Sequence, residues 1–336
     1  VVLALAGLTR LWDDSAGRSE LEKLLPGTRW MVLPLSECPA APAQGALAVE
    51  CRASDATTVA AVAKLHDETT RTNVAAERAL LAEWGGGCHQ RFGATSVSVP
   101  ELGALIYIKG ARPDGSQIAE QRWNPVELTA AMAGPAWDGA RWREASFVAD
   151  YADAGTAPGW LDSSGAVFVA HSRAVPDGWE AQLGTAQRVW TSGTASWFRL
   201  AARGVWVEGC ADEMGYESLQ PLLNQPVLDL PVPSDWRVLS HAGAAASWPR
   251  EQVTSTYTVR AADDLSEQHP AVAELQSAKS AFWTSASQYA AFKEWIPAEC
   301  AHACRYGKTY YALRDEGVAV AAYPSAAEWR RSVSPE

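Results

Sequence analysis

The last part of the chain contains an internal repeat, and this repeat constrains the fold more than any other feature. Each copy starts with an apolar strand and a hydroxyl-bearing turn: residues 166–170 before Ser172, and residues 281–283 before Thr284 and Ser285. Each copy continues with a hydroxyl residue, a helix and a glycine eight residues on: Ser196 to Gly204, and Thr309 to Gly317. Strands that alternate with helices form parallel sheets with helices on both faces. The repeat therefore predicts two similar α/β lobes that face a cleft.

The middle of the chain has a different pattern. Residues 55–84 carry apolar side chains at helical spacing, Ser54 or Asp55 can cap the helix start, and the glycines at 85–87 end it. Three strands joined by short turns follow: residues 95–99, residues 105–109, and a strand from Ser116. This pattern predicts an α+β domain with a small antiparallel sheet.

The sequence patterns of residues 1–52 and 123–163 are less regular. Residues 1–8 are apolar but too few to span a membrane, and we interpret them as a buried strand of a chain that is a fragment of a longer protein. A polar helix is predicted around residues 19–25, with strands at 30–35 and 46–50. Residues 123–163 mix Pro, Gly, Trp and Asp without a period, which predicts a linker with some helix.

Charge and cysteine content exclude several classes of partner and site. Hydrophobic residues make up 48% of the chain and the net charge is −11. The absence of a basic run excludes a general nucleic-acid or anionic-membrane surface, although a few converging arginines could still hold a small anion. Six irregularly spaced cysteines predict no disulfide framework and a reducing, cytoplasmic compartment. Cys300 and Cys304 flank His302, but no second pair follows at zinc-site spacing, so no metal site is predicted.

Four motifs resemble porphobilinogen deaminase, also called hydroxymethylbilane synthase, in order and spacing. They are Leu5-Ala6-Gly7-Leu8-Thr9-Arg10-Leu11, the stretch Pro42-Ala43-Gln44-Gly45-Ala46-Leu47-Ala48-Val49-Glu50-Cys51-Arg52, Ala76-Glu77-Arg78-Ala79-Leu80 with Gly86-Gly87-Cys88, and Pro113-Asp114-Gly115-Ser116. The resemblance covers residues 1–120 and the C-terminal part of that enzyme. In the family the catalytic aspartate and its arginine cluster lie upstream of this part, so residues 1–336 alone are expected not to polymerise porphobilinogen.

The deaminase resemblance implies three cofactor-binding residues. Cys88 would carry a dipyrromethane cofactor through a thioether, on a glycine-rich loop that leaves the sulfur accessible. The alternative for Cys88 is a buried structural cysteine. Arg10 matches a family arginine that binds the carboxylates of cofactor and substrate, for which the guanidinium fork is suited, unless it is a solvated surface residue. Gln44 lies in the matching loop, where Ala43 replaces the family's usual glycine.

A second resemblance, over residues 165–336, is to uroporphyrinogen-III synthase. Its motifs are Trp283-Thr284-Ser285-Ala286-Ser287, Gly307-Lys308-Thr309 and Val253-Thr254-Ser255-Thr256-Tyr257. It implies removal of the hydroxyl of hydroxymethylbilane, inversion of the last ring and closure of the macrocycle. Tyr257 matches the tyrosine proposed as the acid, with a strand aromatic at a lobe boundary as the alternative.

Four hydroxyl residues are predicted just before helices: Ser196, Ser285, Ser287 and Thr309. Backbone N–H groups at such helix starts could hold substrate carboxylates without net positive charge. The alternative for each residue is simple helix capping.

Together these features predict an α/β protein with five segments: residues 1–52 from the central deaminase region, 53–122 as the cofactor-carrying domain, 123–164 as a linker, and lobes at 165–256 and 257–336. We interpret it as part of a fused deaminase and synthase of tetrapyrrole biosynthesis. Its partners would be porphobilinogen, hydroxymethylbilane and the remaining deaminase domains, in the same or another chain. The alternatives are a non-catalytic module that completes a separate deaminase and holds its product, and a degenerate deaminase fused to an unrelated ligand-binding module.

Overall fold

The computed structural model describes residues 1–86, 91–126, 134–151, 157–163, 165–243 and 248–333. The chain divides into two compact units. Unit 1 comprises Val1–Pro34 and Gly134–Val320, and unit 2 comprises Leu35–Ala133 and Ala321–Glu336. These units group residues 1–34 with the back half of the chain, unlike the five predicted segments, whose boundaries stay a prediction. An antiparallel three-stranded sheet and parallel-stranded sheets are both present, which confirms the predicted fold class.

Two helices open unit 1, α1 (Leu5–Asp13) and α2 (Ser15–Leu24). The predicted strand over residues 1–8 is therefore wrong, while α2 confirms the predicted polar helix. Apolar side chains of α1 recur every three or four residues and so share one helix face. They pack with α2 in one hydrophobic cluster: Leu5, Leu8, Trp12, Leu21, Val227 and Leu228. A short apolar run fits both a helix and a buried strand, and sequence periodicity alone does not separate the two.

The predicted strands at residues 30–35 and 46–50 are also wrong, because both stretches are irregular. Trp30 and Val32 instead pack against a cluster that contains the fully buried Trp236. The Val32 N–H donates to the Glu208 carbonyl at 2.6 Å. A single backbone hydrogen bond does not make residues 30–35 a strand of the sheet. The apolar side chains of this stretch instead pack against the core.

Unit 2 contains α3 (Ala56–Val62) and α4 (Glu68–Glu83) where one helix over residues 55–84 was predicted. Asp55 caps α3 by accepting from the Thr58 N–H at 3.0 Å, as predicted. The helix stops before His66, whose backbone is extended, and Asp67 then caps a new start by accepting from the Thr70 N–H at 2.7 Å. The second cap explains why the helix restarts.

The predicted antiparallel meander is confirmed as β1 (Phe92–Val99), β2 (Gly103–Ala111) and β3 (Gln117–Pro125). Leu80 of α4 packs on its buried face. The strand residues of this cluster are Ala94, Ile106, Ile108 and Ile118.

Within the predicted linker, residues 134–151 form regular structure: β4 (Ala136–Asp138), α5 (Gly139–Ser146) and β5 (Phe147–Tyr151). Asp138 caps α5 by accepting from the Ala140 N–H at 2.9 Å. The helix predicted in this stretch is confirmed as α5. The strands β4 and β5 were not predicted, because strands of only three and five residues leave too short a period to detect.

The back half contains both copies of the repeat. The first copy is β6 (Gly165–Val169), α6 (Glu180–Ala186), β7 (Gln187–Thr191), α7 (Thr194–Ala202) and β8 (Val207–Cys210). Between the copies lie α8 (Gln220–Leu223), β9 (Trp236–His241), β10 (Val253–Ala261) and α9 (Pro270–Gln276). The second copy is β11 (Ser280–Trp283), α10 (Ala286–Phe292), β12 (Ala301–Arg305), α11 (Lys308–Asp315) and β13 (Val320–Tyr323), followed by α12 (Ala326–Val333). The predicted repeat is confirmed, and Gly204 and Gly317 both have positive φ, 85° and 79°, as residues that end helices often do.

Two sheets organise unit 1. The larger has the order β5-β10-β9-β6-β7-β8, parallel from β10 to β8, with β5 antiparallel at the edge. In the smaller, β11 lies between β12 and β4, and all three are parallel. We call the six-stranded sheet with α6–α8 the larger lobe, and β4, β11 and β12 with α5 and α9–α11 the smaller lobe. The chain passes from the smaller lobe to the larger through β5 and returns through β10.

Tryptophans form the centres of both lobes. Trp190 and Trp236 are fully buried in the larger lobe, and Trp137 and Trp283 in the smaller, where the latter two rings are 4.9 Å apart. Among the described residues, no helix is long and apolar enough to cross a membrane.

Candidate functional site

The strand order of the larger lobe defines a crevice. From β6 the chain continues to β7 on one side, and β9 later pairs with the other side of β6. Ligands of open α/β sheets bind outside the carboxyl ends of the strands at such a reversal. His171 follows β6, and His241 is the last residue of β9. Both histidines, which have no visible partner in the sequence, therefore lie at this crevice.

Tyr257, the predicted acid, lies on the next strand. It is paired with His241 on β9 and with Tyr151 on β5, and its ring centroid is 5.8 Å from the first ring and 5.9 Å from the second. Burial raises the pKa of Tyr257, whereas the charges of Arg173 and Arg143 lower it. The phenol therefore keeps its proton at neutral pH, beside cations that would stabilise the phenolate.

His171 is held as a neutral donor. Its Nδ1 accepts from the Arg173 backbone N–H at 3.1 Å and from Arg173 Nε at 3.3 Å. Burial, together with the charges of Arg173, Arg143 and Arg199, lowers the pKa of His171 to about 4. A neutral imidazole whose Nδ1 accepts has its proton on Nε2. His171 therefore offers an N–H, but no charge, to a ligand at pH 7.

His241 has the same arrangement. Its Nδ1 accepts from the Gly243 N–H at 3.1 Å, and burial, with a smaller contribution from Arg143, lowers its pKa. Both crevice histidines therefore present Nε2–H groups.

The charges of three arginines act on these groups: all three on His171, two on Tyr257 and one on His241. Arg173 follows β6, Arg199 lies on α7, and Arg143 lies on α5 of the smaller lobe. None of the three forms an ion pair with a carboxylate in the part of the chain that the structure describes. In a chain of net charge −11, cations without such partners beside neutral N–H donors form a site suited to an anion. Sequence analysis allowed for such a convergence but could not place it, because the arginines are far apart along the chain.

The smaller lobe has its own strand reversal, where β11 lies between β12 and β4. Ser285 caps α10 there by accepting from the Gln288 N–H at 3.1 Å, and the Ser285 and Ser287 hydroxyls are 2.9 Å apart. The buried Gln288, which sequence analysis missed, donates to the Gly139 carbonyl and accepts from Thr284. Ser285 and Ser287 therefore lie together at the carboxyl edge, with Ser285 already acting as a cap.

Ser196, Ser287 and Thr309 do not precede their helices, and Ser287 is the second residue of α10. Ser196 is the third residue of α7, is buried, and accepts from the Ser172 N–H at 3.1 Å. Thr309 is the second residue of α11. The residues just before the two helices are Gly193 and Gly307, so the equal eight-residue spacings join positions that are not equivalent. Ser196 here stabilises the turn after β6.

Of the three predicted cofactor-binding residues, the structure describes Arg10 and Gln44. Arg10 is exposed on α1 in unit 1, and Gln44 is exposed in unit 2. Gln44 Oε1 accepts from the Ala41 N–H at 3.2 Å, which closes its own turn. Cys88 lies outside the described residues.

The loop of Gln44 is fixed by an acid that sequence analysis assigned no such role. Ala43 has φ 64°, a conformation that favours glycine. Its N–H donates to Glu77 Oε2 at 2.7 Å, and the Ser96 N–H donates to Glu77 Oε1 at 2.8 Å. The buried Glu77 thus joins loop, helix and sheet.

Cys300 and Cys304 are buried thiols whose pKa values burial raises to about 11 and about 12. His302 accepts from Trp283 Nε1 at 3.2 Å in one tautomer. No three His, Cys, Asp or Glu residues in the described ranges are grouped to hold a metal ion.

Fold and crevice together define an α/β protein with a donor-lined site for an anion. The family model described as porphobilinogen deaminase, dipyromethane cofactor binding domain, matches residues 1–60. The porphobilinogen deaminase of Nocardia farcinica is 38% identical over 150 residues, which are 45% of this chain and 35% of that protein. That of Mycobacterium tuberculosis is 44% identical over 104 residues, 30% of this chain and 29% of that protein. The predicted resemblance to porphobilinogen deaminase is thereby confirmed, and the chain spans about a third of the length of these relatives.

Two solved structures are also similar to the chain. Uroporphyrinogen-III synthetase from Helicobacter pylori has a TM-score of 0.36 and 14% identity, covering 55% of this chain and 87% of that one. A mutant uroporphyrinogen III synthase from Thermus thermophilus has a TM-score of 0.36 and 12% identity, covering 59% and 94%.

Proposed function

We propose that the chain acts in tetrapyrrole biosynthesis and that residues 134–320 convert hydroxymethylbilane to uroporphyrinogen III. One observation carries this proposal: three arginines without described carboxylate partners act electrostatically on His171 at the strand reversal of the larger lobe, and two of them, Arg143 and Arg173, also act on Tyr257. The proposed substrate carries eight carboxylates. Such a ligand needs several cations and N–H donors, because each exposed charge contact alone contributes little.

The chemistry assigned to the site is acid catalysis. Tyr257 gives its phenolic proton to the hydroxyl of hydroxymethylbilane, which leaves as water. Arg143 and Arg173 stabilise the phenolate that forms. The arginines and the two Nε2–H groups hold the carboxylates while the chain folds for ring closure, which reduces the entropic cost of bringing its ends together. Ser285, Ser287 and Thr309 are proposed to contribute contacts from the smaller lobe.

The deaminase-like part is proposed to hold the dipyrromethane cofactor, attached to Cys88, with Arg10 and Gln44 binding its carboxylates. The match of residues 1–60 to a cofactor-binding domain supports this assignment. Because the chain spans about a third of its deaminase relatives, we propose that this part works with further deaminase segments, in the same or another chain, in the cytoplasm.

The test is an assay of hydroxymethylbilane, made by a separate deaminase, with separation of the type I and type III products. We expect type III from the wild-type chain, and a decrease of about tenfold or more for Arg173→Gln and for Arg199→Gln, since hydrogen bonds to charged groups are among the stronger ones. Arg260→Gln is the control, because Arg260 pairs with Asp150 and Asp263. Formation of type I alone would contradict the synthase proposal and favour the binding and assembly module.

A further inference from the structure

An ion pair joins the two lobes of unit 1. Glu213 follows β8 of the larger lobe, Arg305 ends β12 of the smaller lobe, and their side chains form a salt bridge. Both residues lie at carboxyl ends of parallel strands, where ligands of such sheets bind. The side chains are 42% and 33% exposed. Water and a ligand can therefore reach this pair.

Glu213 leaves the guanidinium of Arg305 incompletely satisfied. Its Oε2 contacts one terminal nitrogen, whereas Arg305 Nε is buried and has no hydrogen-bond partner among the described residues. An orphaned buried N–H requires an explanation. A carboxylate that approached edge-on would engage both nitrogens, which is the strongest arrangement for this pair of groups.

A second cation follows Arg305 three residues along the chain. Lys308, the first residue of α11, has its ammonium 5.4 Å from the ring centroid of Trp248 in the larger lobe. Thr309 follows it. The loop from Arg305 to Thr309 thus brings two positive charges to the face of the smaller lobe that meets the larger lobe.

The backbone directs Glu213 into this position. Asp212 and Glu213 have φ values of 47° and 65°, a left-handed conformation that is costly for residues other than glycine. The Glu213 side chain lies directly against Gly193, where any Cβ would collide with Glu213 Cγ. A turn with two left-handed residues and a close approach to a glycine thus accompany the contact of this carboxylate with Arg305.

We propose that Arg305 binds a carboxylate of the substrate and that Glu213 occupies its place until that carboxylate displaces it. An ion pair this exposed contributes little to stability. A ligand carboxylate that replaces Glu213 and also accepts a hydrogen bond from Arg305 Nε is therefore bound more favourably than the Glu213 carboxylate. The identity of the substrate rests on the proposed function, whereas the exchange itself concerns any polycarboxylate that fits the cleft.

The test measures binding of uroporphyrin I, a stable tetrapyrrole with eight carboxylates, by calorimetry. Glu213→Gln should tighten binding about 3- to 10-fold, because it vacates Arg305. Arg305→Gln should weaken binding about tenfold, and Arg305→Lys should fall between, because lysine keeps the charge but not the fork. In the Arg305→Gln background, Glu213→Gln should add no tightening. Glu274→Gln is the matched control, since Glu274 pairs with Arg141 elsewhere in the smaller lobe.

Two results would overturn the proposal alone. Equal tightening by Glu213→Gln with and without Arg305 would mean that Glu213 only repels anions. Unchanged affinity with a lowered thermal midpoint in both single variants would mean that the pair only braces the lobes. In either case wild-type binding of uroporphyrin I leaves the proposed function standing. If neither the wild-type chain nor Glu213→Gln binds uroporphyrin I, both proposals are wrong.

Discussion

The rings of His241 and Tyr257 lie 5.8 Å apart because the two residues are paired on neighbouring parallel strands. Nδ1 of His241 is already an acceptor for the Gly243 N–H. The neutral ring therefore has only an N–H to offer, and it cannot take the phenolic proton. This arrangement leaves the proton of Tyr257 available to a substrate hydroxyl.

Replacement of Tyr257 by phenylalanine tests this role. Tyr257→Phe should lower the rate of uroporphyrinogen III formation about 100-fold or more, because a general acid contributes that much. Tyr311→Phe, at a tyrosine that is 49% exposed on α11, should leave the rate unchanged. An unchanged rate in Tyr257→Phe would mean that positioning alone accounts for catalysis.

The ionisation of His171 should make the stability of the chain depend on pH. Its pKa is about 4 in the folded state, below the ordinary 6.5, so the unfolded state binds the proton more readily. Stability should therefore fall as the pH falls from about 6.5 to about 4. Denaturant midpoints at pH 7 and pH 5 should differ less in His171→Gln than in the wild-type chain. Equal differences in both proteins would contradict the assignment.

Glu77 should be required for the order of its loop. Glu77→Gln replaces one acceptor by an amide N–H₂, which would face a backbone N–H of Ala43 or Ser96, at a cost of about 1–3 kcal/mol. Hydrogen exchange by mass spectrometry should show faster exchange in residues 41–46 and at the start of β1. Glu83→Gln, at an exposed acid paired with Arg122, is the control, and equal protection in both variants would contradict the prediction.

The cofactor assignment predicts a covalent adduct. When the chain is supplied with the further deaminase segments, a peptide containing Cys88 should carry the mass of a dipyrrole. Cys88→Ser should abolish the adduct, while Cys51→Ser, at an exposed free cysteine, should retain it. An unmodified Cys88 in active enzyme would rule out the attachment.

Local patterns predicted some elements well. The meander and the Asp55 cap depend on residues close in sequence, so turns, caps and strand spacing reveal them. The repeat was also visible in the sequence, but the positions of its hydroxyl residues within the helices were not. Ser196 and Thr309 matched only by spacing, and the backbone positions that correspond are Gly193 and Gly307.

The site could not be predicted in full, because its residues come together only in the folded chain. Arg143, Arg199 and His241 come from separate elements, and only the order of strands brings them to one crevice. Tyr257 was predicted from resemblance to a family, yet its neighbours were not, because no local pattern marks a residue that follows a strand at a reversal. The tautomers of the histidines likewise depend on backbone N–H groups that the fold positions.

The two crossings through β5 and β10 have a consequence for the order in which the chain assembles. During synthesis β4 leaves the ribosome early, but its partner β11 emerges only after the whole larger lobe. The larger lobe can therefore form its core first, while β4 has no partner strand and α5 has no sheet to pack against. Such non-local pairing slows folding. The smaller lobe should accordingly be the last part of unit 1 to mature and the most sensitive to interruption of translation.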